Sequence, residues 1–265
     1  MYQTTYHRPS SVSEAAGLLG SAGDAKLLAG GMTLIPTMKQ RLAAPANLID
    51  LGKIAELKGI SAAGGRLTIG AGTTHATVAG SADVKAAIPA LATLASGIGD
   101  PHVRHMGTIG GSVANNDPAA DYPSAVLGLG ATVVTSKRSI AADDFFQGMF
   151  TTALDEDEII VRFEFPVPSK AAYAKFANPA SRYAMAGVFV AATAGGVRVA
   201  VTGAGSDGVF RWTAAESALA SNFSASALDG LSVDPSGLLS DIHGDAAYRA
   251  NLVKVMAKRA VAAAG

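Results

Sequence analysis

Two short stretches place glycines where a chain could approach a phosphate: Gly30 and Gly31 in LLAGGMT, and Gly107, Gly110 and Gly111 in GTIGGS. Backbone N–H groups can cradle a pyrophosphate only if the chain comes close, and a Cβ stands in the way. The same residues also serve a turn that needs φ > 0. With 30 glycines in the chain, either pair alone reads more readily as an ordinary turn. Neither stretch has the dinucleotide spacing G-x-G-x-x-G, nor the P-loop with its Lys-Ser/Thr, so a Rossmann site and an NTPase are not expected. His102 and His105, with Asp100 and Asp117, have no third ligand at a common metal spacing, so no metal is expected.

The elements that must position these groups belong to a globular chain. Of 265 residues, 49% are apolar and 16% charged, too apolar for disorder. Lys plus Arg and Asp plus Glu both total 21, so there is no basic excess to hold a nucleic acid, and zero net charge favours association. Cysteine is absent, which excludes disulfides, thiolate zinc, a cysteine nucleophile and an iron–sulfur cluster held by this chain. The opening residues show no secretory pattern, and no apolar run approaches the ~20 residues of a spanning helix. The expectation is a soluble cytoplasmic protein.

Along the chain, Ser11-x-x-Glu14 reads as a capping box opening a helix. AKLLAGG reads as a strand ending in a turn, TLIPTMKQRL as a short helix, and ANLIDLG as a second buried strand. GRLTIGAGTTHATVAGS alternates as a strand running into a loop that carries His75. ADVKAAIPALATLASGIG reads as one Ala-rich helix. Asp117-Pro118 reads as the N-cap and first residue of another helix. EDEIIVRFEFPVPSK is a strand closing in two prolines, placing a domain boundary at 166–170. Beyond it come strands joined by the Gly195–Gly196 turn, then helices, the last with Tyr248, Leu252, Val255, Met256 and Arg259 on one stripe. The fold class is α+β, in two domains of unequal size.

The pair AGGMTLIPTMKQRLAAPANLIDL and DPHVRHMGTIGGSVANNDPAADYPSAVLGLGA resembles the FAD-binding medium subunit of molybdenum hydroxylases, the carbon monoxide dehydrogenase and xanthine dehydrogenase family. The likeness continues through LDEDEIIVRFEFPVP and AYAKFANPASRYAMAGVFVA, most of the chain. It implies an FAD-binding domain over 1–168, built of subdomains about 1–55 and 56–168. A C-terminal domain over 169–265 would combine a small antiparallel sheet with a helical bundle. The resemblance also implies a first FAD loop from Leu28 to Ile35, with Ala29, Gly30, Gly31, Met32 and Thr33 offering amides and Leu34 following. A second loop would comprise Gly110, Gly111 and Ser112, with Thr108 before it. Asp121 would meet FAD hydroxyls, and Ile159 and Ile160 would bring backbone to the flavin. His75, Lys175 and Tyr183 would lie near the cofactor. No histidine stands in AGGMT, so FAD is expected to be non-covalent. Met32-Thr33 departs from the residues usual there, which leaves only backbone contacts implied at those positions.

The function implied is electron transfer. Substrate is oxidised at molybdopterin on a large partner chain, and two [2Fe–2S] clusters on a small partner chain deliver electrons to FAD here. The assembly implied holds two copies of each chain, with no catalytic acid or base on this one. The lack of cysteine excludes the branch that carries an extra cluster in this subunit. A free-standing FAD-dependent oxidoreductase is the alternative.

Overall fold

The computed structural model describes residues 1–264. Strands Thr5–His7, Asn47–Asp50 and Ala25–Leu28 form a parallel sheet in that spatial order. Helices Val12–Ser21 and Leu34–Lys39 carry the chain between its strands, as parallel pairing demands. The Ser11 hydroxyl accepts from the Glu14 N–H at 3.1 Å. The Glu14 carboxylate reaches back to the Ser10 N–H at 2.8 Å, one residue beyond the reciprocal box. Pro36 is tolerated because it lies in the first turn of its helix, where no intrahelical N–H is needed. Ala15, Ile49, Ile54 and Leu57 form the small core of this unit, joined from far along the chain by Ile159.

The second sheet is antiparallel and five-stranded, in the order Ile60–Ala63, Arg66–Gly70, Ile160–Pro166, Thr132–Thr135, Ser139–Ala141. Leu67, Ile69, Val133, Phe163 and Phe165 point one way and pack with residues of the helices Pro89–Ser96, Ile109–Asn115 and Tyr122–Gly128. The Ala-rich stretch is two helices, not one: Ala82–Ala87 and Pro89–Ser96. Pro89 has no N–H to donate, and its ring forces Ile88 out of the helical region to φ −142°, ψ 76°. Asp117 also departs from expectation, since the helix begins at Tyr122. Its carboxylate accepts from Ala119 N–H at 2.9 Å, closing an Asx turn. The Pro118 and Ala120 carbonyls bond to Thr202 and so cannot begin a helix.

The chain leaves this sheet at Pro166 and enters a four-stranded antiparallel sheet at Lys170, in the order Lys170–Ala177, Ala184–Thr193, Gly196–Thr202, Phe210–Arg211. The second strand is buried on both faces. Ala186, Val188 and Val190 face a core shared with Leu252, Val253 and Met256 of the terminal helix Ala246–Ala264. Phe189 and Ala191 face the core of the five-stranded sheet. The buried side of the terminal helix is Arg249, Ala250, Leu252, Val253, Met256, Ala257, Ala260 and Val261. The expected stripe is right at Leu252 and Met256 and wrong at Tyr248, which is exposed, and Arg259. Arg249 explains the shift, for its guanidinium is buried against the carbonyls of Met185 and Gly203 at 2.7 and 2.8 Å.

Candidate cofactor site

The two glycine stretches face each other. Gly31 has φ +71°, so the first stretch makes its turn with a residue that has no Cβ to clash. Gly30 is glycine for a different reason. A methyl there would stand 2.0 Å from the Met106 carbonyl oxygen and 2.7 Å from Gly107 Cα. The second stretch therefore lies directly on the first. Gly110 is closed in likewise, its missing Cβ 2.6 Å from that of Ala71.

GTIGGS is a helix start and not a loop. Thr108 caps the helix Ile109–Asn115, its hydroxyl accepting from Gly111 N–H at 3.1 Å. Gly110 N–H goes to the Ala71 carbonyl at 2.8 Å, Ile109 N–H to Thr73, and Ser112 N–H to Thr108. These amides are spent within the protein, contrary to a second amide cradle. The Ser112 hydroxyl has no protein partner among the described residues. The first stretch is the reverse case. Among the described residues, no protein acceptor takes the N–H of Gly30, Gly31, Met32 or Thr33. These amides run into the N-terminus of the helix Leu34–Lys39, where the backbone dipoles favour an anion.

A cleft of about 660 Å³ opens over this junction, within the usual range of small-molecule sites. Of the expected residues, it is lined by Ala29 through Leu34, His75, Thr108, Gly110, Gly111, Ser112, Asp121, Ile159, Ile160 and Tyr183. Leu28, Ile35 and Lys175 are not on its wall. Leu28 and Ile35 instead pack around Gly31, with side-chain carbons 3.1 and 3.0 Å from where its Cβ would be. The wall also includes Lys58, Asn115, Leu154 and Arg182, which the sequence reading did not single out. Arg182 sits beside Tyr183, and Asn115 ends the helix that Thr108 caps. Nothing local marks Lys58 or Leu154, whose places depend on distant chain crossings.

His75 opens the helix His75–Gly80 rather than lying in a loop, because Thr74 caps that helix by accepting from Thr77 N–H. The ring is buried, with Nδ1 unpartnered among the described residues. Burial, reinforced by the Arg104 charge, lowers its pKa from 6.5 to about 4. The unfolded chain takes up this proton near 6.5 while the folded one resists it. The contribution to stability is thus complete above pH 6.5 and lost as pH falls toward 4. At ~1.4 kcal/mol per unit this amounts to ~3 kcal/mol. Urea unfolding at pH 7 and pH 4 should show that much less acid sensitivity in His75→Leu than in the parent. Equal sensitivity would mean that His75 is protonated without penalty.

Asp121 stands at the N-terminus of the helix Tyr122–Gly128 but does not cap it. Its carboxylate accepts from Tyr173 Oη at 2.5 Å and pairs with Lys175 Nζ at 2.9 Å. Burial pushes its pKa up, while Lys175 and Tyr173 pull the other way.

A family model described as the FAD binding domain in molybdopterin dehydrogenase matches residues 2–168. The chain belongs to this family. It is 36% identical to the carbon monoxide dehydrogenase medium chain of Hydrogenophaga pseudoflava, over 98% of this chain and 96% of that protein. It is also 36% identical to the nicotine 6-hydroxylase medium subunit of Paenarthrobacter nicotinovorans, again over 98% and 96%. Among solved structures it superposes on carbon monoxide dehydrogenase from Hydrogenophaga pseudoflava with a TM-score of 0.90 at 37% identity. That match covers 99% of this chain and 97% of the other. The molybdenum hydroxylase resemblance and the α+β fold both hold, and the family's cofactor is FAD. The residues present fit that group: four free amides, a helix N-terminus, and glycines whose lack of Cβ lets the two stretches lie against each other beneath the cleft.

Proposed function

We propose that this chain is the FAD-carrying electron-transfer subunit of a heteromeric molybdenum hydroxylase. It would accept electrons from [2Fe–2S] clusters on a small partner chain and pass them to an external acceptor, with molybdopterin on a large partner chain. The observation that carries this reading is the run of unpaired amides at Gly30–Thr33 opening into a cleft with no cysteine in the chain. FAD supplies the exchange between single electrons and pairs. The protein supplies position, and its own residues need supply no acid or base.

In the proposed site, Gly30 to Thr33 hold the pyrophosphate with their amides. Asp121 would accept from FAD hydroxyls, Ser112 would donate its hydroxyl, and Tyr183, half-exposed at the cleft wall, would lie near the flavin. Binding is non-covalent. Residues 1–168 would act as the cofactor domain, with FAD between its two subdomains, and 169–265 as the C-terminal domain, in a cytoplasmic assembly of two copies of each of three chains. Among the described residues, no helix is long and apolar enough to cross a membrane. Relatives named for carbon monoxide and for nicotine are equally similar to this chain. That supports placing substrate choice on another subunit.

Two measurements test the reading. Acid precipitation should release all flavin into the supernatant as FAD, and colour left in the pellet would rule out non-covalent binding. Stopped-flow absorbance should show substrate-driven flavin reduction only when the large and small chains are present. Fast reduction in the isolated chain by its own organic substrate would replace the subunit with a free-standing oxidoreductase.

A further inference from the structure

We infer that Tyr173 is a positioning residue for the cofactor, acting through Asp121. The inference rests on the reading that Asp121 meets FAD. Tyr173 does not line the cleft and is not a first-loop or second-loop residue, yet its hydroxyl donates to the cleft-lining Asp121 at 2.5 Å.

The sheet is built to allow this reach. Tyr173 and Lys175 are two apart on the strand Lys170–Ala177, so both side chains leave the same face. Tyr173 pairs with Phe189 and stacks on it, the ring centroids 6.2 Å apart. Lys175 pairs with Gly187. A Cβ at Gly187 would sit 2.3 Å from Tyr173 Oη. The phenol therefore occupies the space that a side chain at 187 would fill, and its hydroxyl emerges at the Asp121 carboxylate. Lys175 approaches the same carboxylate and also donates to the Gly97 carbonyl at 2.9 Å.

A buried carboxylate with two donors cannot swing. Its orientation is held by those two partners while the residue lines the cleft, and a carboxylate keeps acceptor capacity beyond two bonds. Both donors also favour the ionised form against the burial that opposes it. The other titratable groups whose charges meet Asp121 are Tyr122, next in sequence, and Tyr183 on the cleft wall, whose phenols both feel its charge. Neither of these phenols donates to it among the described residues. Lys175 supplies the charge, and Tyr173 supplies the direction.

The test is a cycle of Tyr173→Phe, Asp121→Asn and the double variant, read by FAD titration and by the pH at which FAD fluorescence reappears on acidification. Tyr173→Phe keeps the ring and its stacking. It should raise the Kd for FAD about tenfold, the value of one hydrogen bond to a charged acceptor, and move the release midpoint to higher pH. In the Asp121→Asn background the same change should have no further effect on either quantity. An equal loss in both backgrounds, or a rise in Kd with no shift of the midpoint, would mean that Tyr173 is only packing. Tyr173→Phe binding FAD like the parent, while Asp121→Asn binds it weakly, would overturn the inference and leave the site intact. If Asp121→Asn itself binds FAD at the parent Kd, the assignment of Asp121 fails first.

Discussion

Gly30→Ala is expected to purify without flavin. The added methyl meets backbone on the opposite side: the Met106 carbonyl oxygen at 2.0 Å and Gly107 Cα at 2.7 Å. No side-chain rotation relieves such a clash, so the two stretches must part. Parting them moves the free amides of Gly30–Thr33 away from the cleft floor that they share with Thr108 and Gly111. The Kd for FAD should rise at least about 100-fold, on the order of 3 kcal/mol. Gly111→Ala is the matched control. Its methyl meets Thr108 Oγ1 at 3.0 Å and the Ala29 methyl at 3.3 Å, contacts that can give by a few tenths of an ångström. About a tenfold loss or less is expected there, near the ~1.4 kcal/mol that one decade represents. Fluorescence titration of the refolded apoproteins, with circular dichroism to verify the fold, makes the comparison. A Gly30→Ala chain that binds FAD like the parent would show that the junction is not the cradle.

Asp121→Ala carries the second large effect, and it falls on stability as well as on FAD. Lys175 is 10% exposed in its side chain and Asp121 is 5% exposed. Removing the carboxylate leaves a buried ammonium with the Gly97 carbonyl as its remaining protein acceptor. Breaking a buried pair from one side costs about 3–5 kcal/mol, mostly the penalty of the charge left behind. Urea unfolding at neutral pH should show a loss of this size. The double variant Asp121→Ala with Lys175→Met should recover much of it, because no charge then remains buried. FAD binding should not recover in the double variant, since the hydroxyl acceptor is still missing. A single variant as stable as the parent would mean that Lys175 finds solvent when its partner goes.

Much of this was legible in the sequence, because local chemistry wrote it. Ser11, Gly31 and the Gly195–Gly196 turn behave as their residue types require. What was misread depended on partners far along the chain. Asp117 resembles a helix cap until Thr202 takes the carbonyls that follow it. The stripe drawn through Tyr248 and Arg259 is turned because the Met185 and Gly203 carbonyls bury Arg249 instead. GTIGGS looks like a second amide cradle, but Ala71 and Thr73 take the N–H groups of Gly110 and Ile109, and Thr108 takes those of Gly111 and Ser112. In these cases at least part of the claim on a backbone or charged group came from a residue that sequence distance had hidden.

The strand Ala184–Thr193, inaccessible on both sides, works as a party wall. Val188 and Phe189 are chain neighbours, yet one is built into the C-terminal helical core and the other into the core behind the cleft. Every residue of the helix Tyr122–Gly128 is buried, and Phe189 and Ala200 lie within touching distance of its Gly128. Pulling the four-stranded sheet away would strip that helix on its outer side, and with it the mount of Asp121. The two halves of the molecule are therefore expected to melt in a single step, which calorimetry would read as one transition. Damage at the far C-terminal helix is carried through a single layer of backbone to the room where the flavin lives.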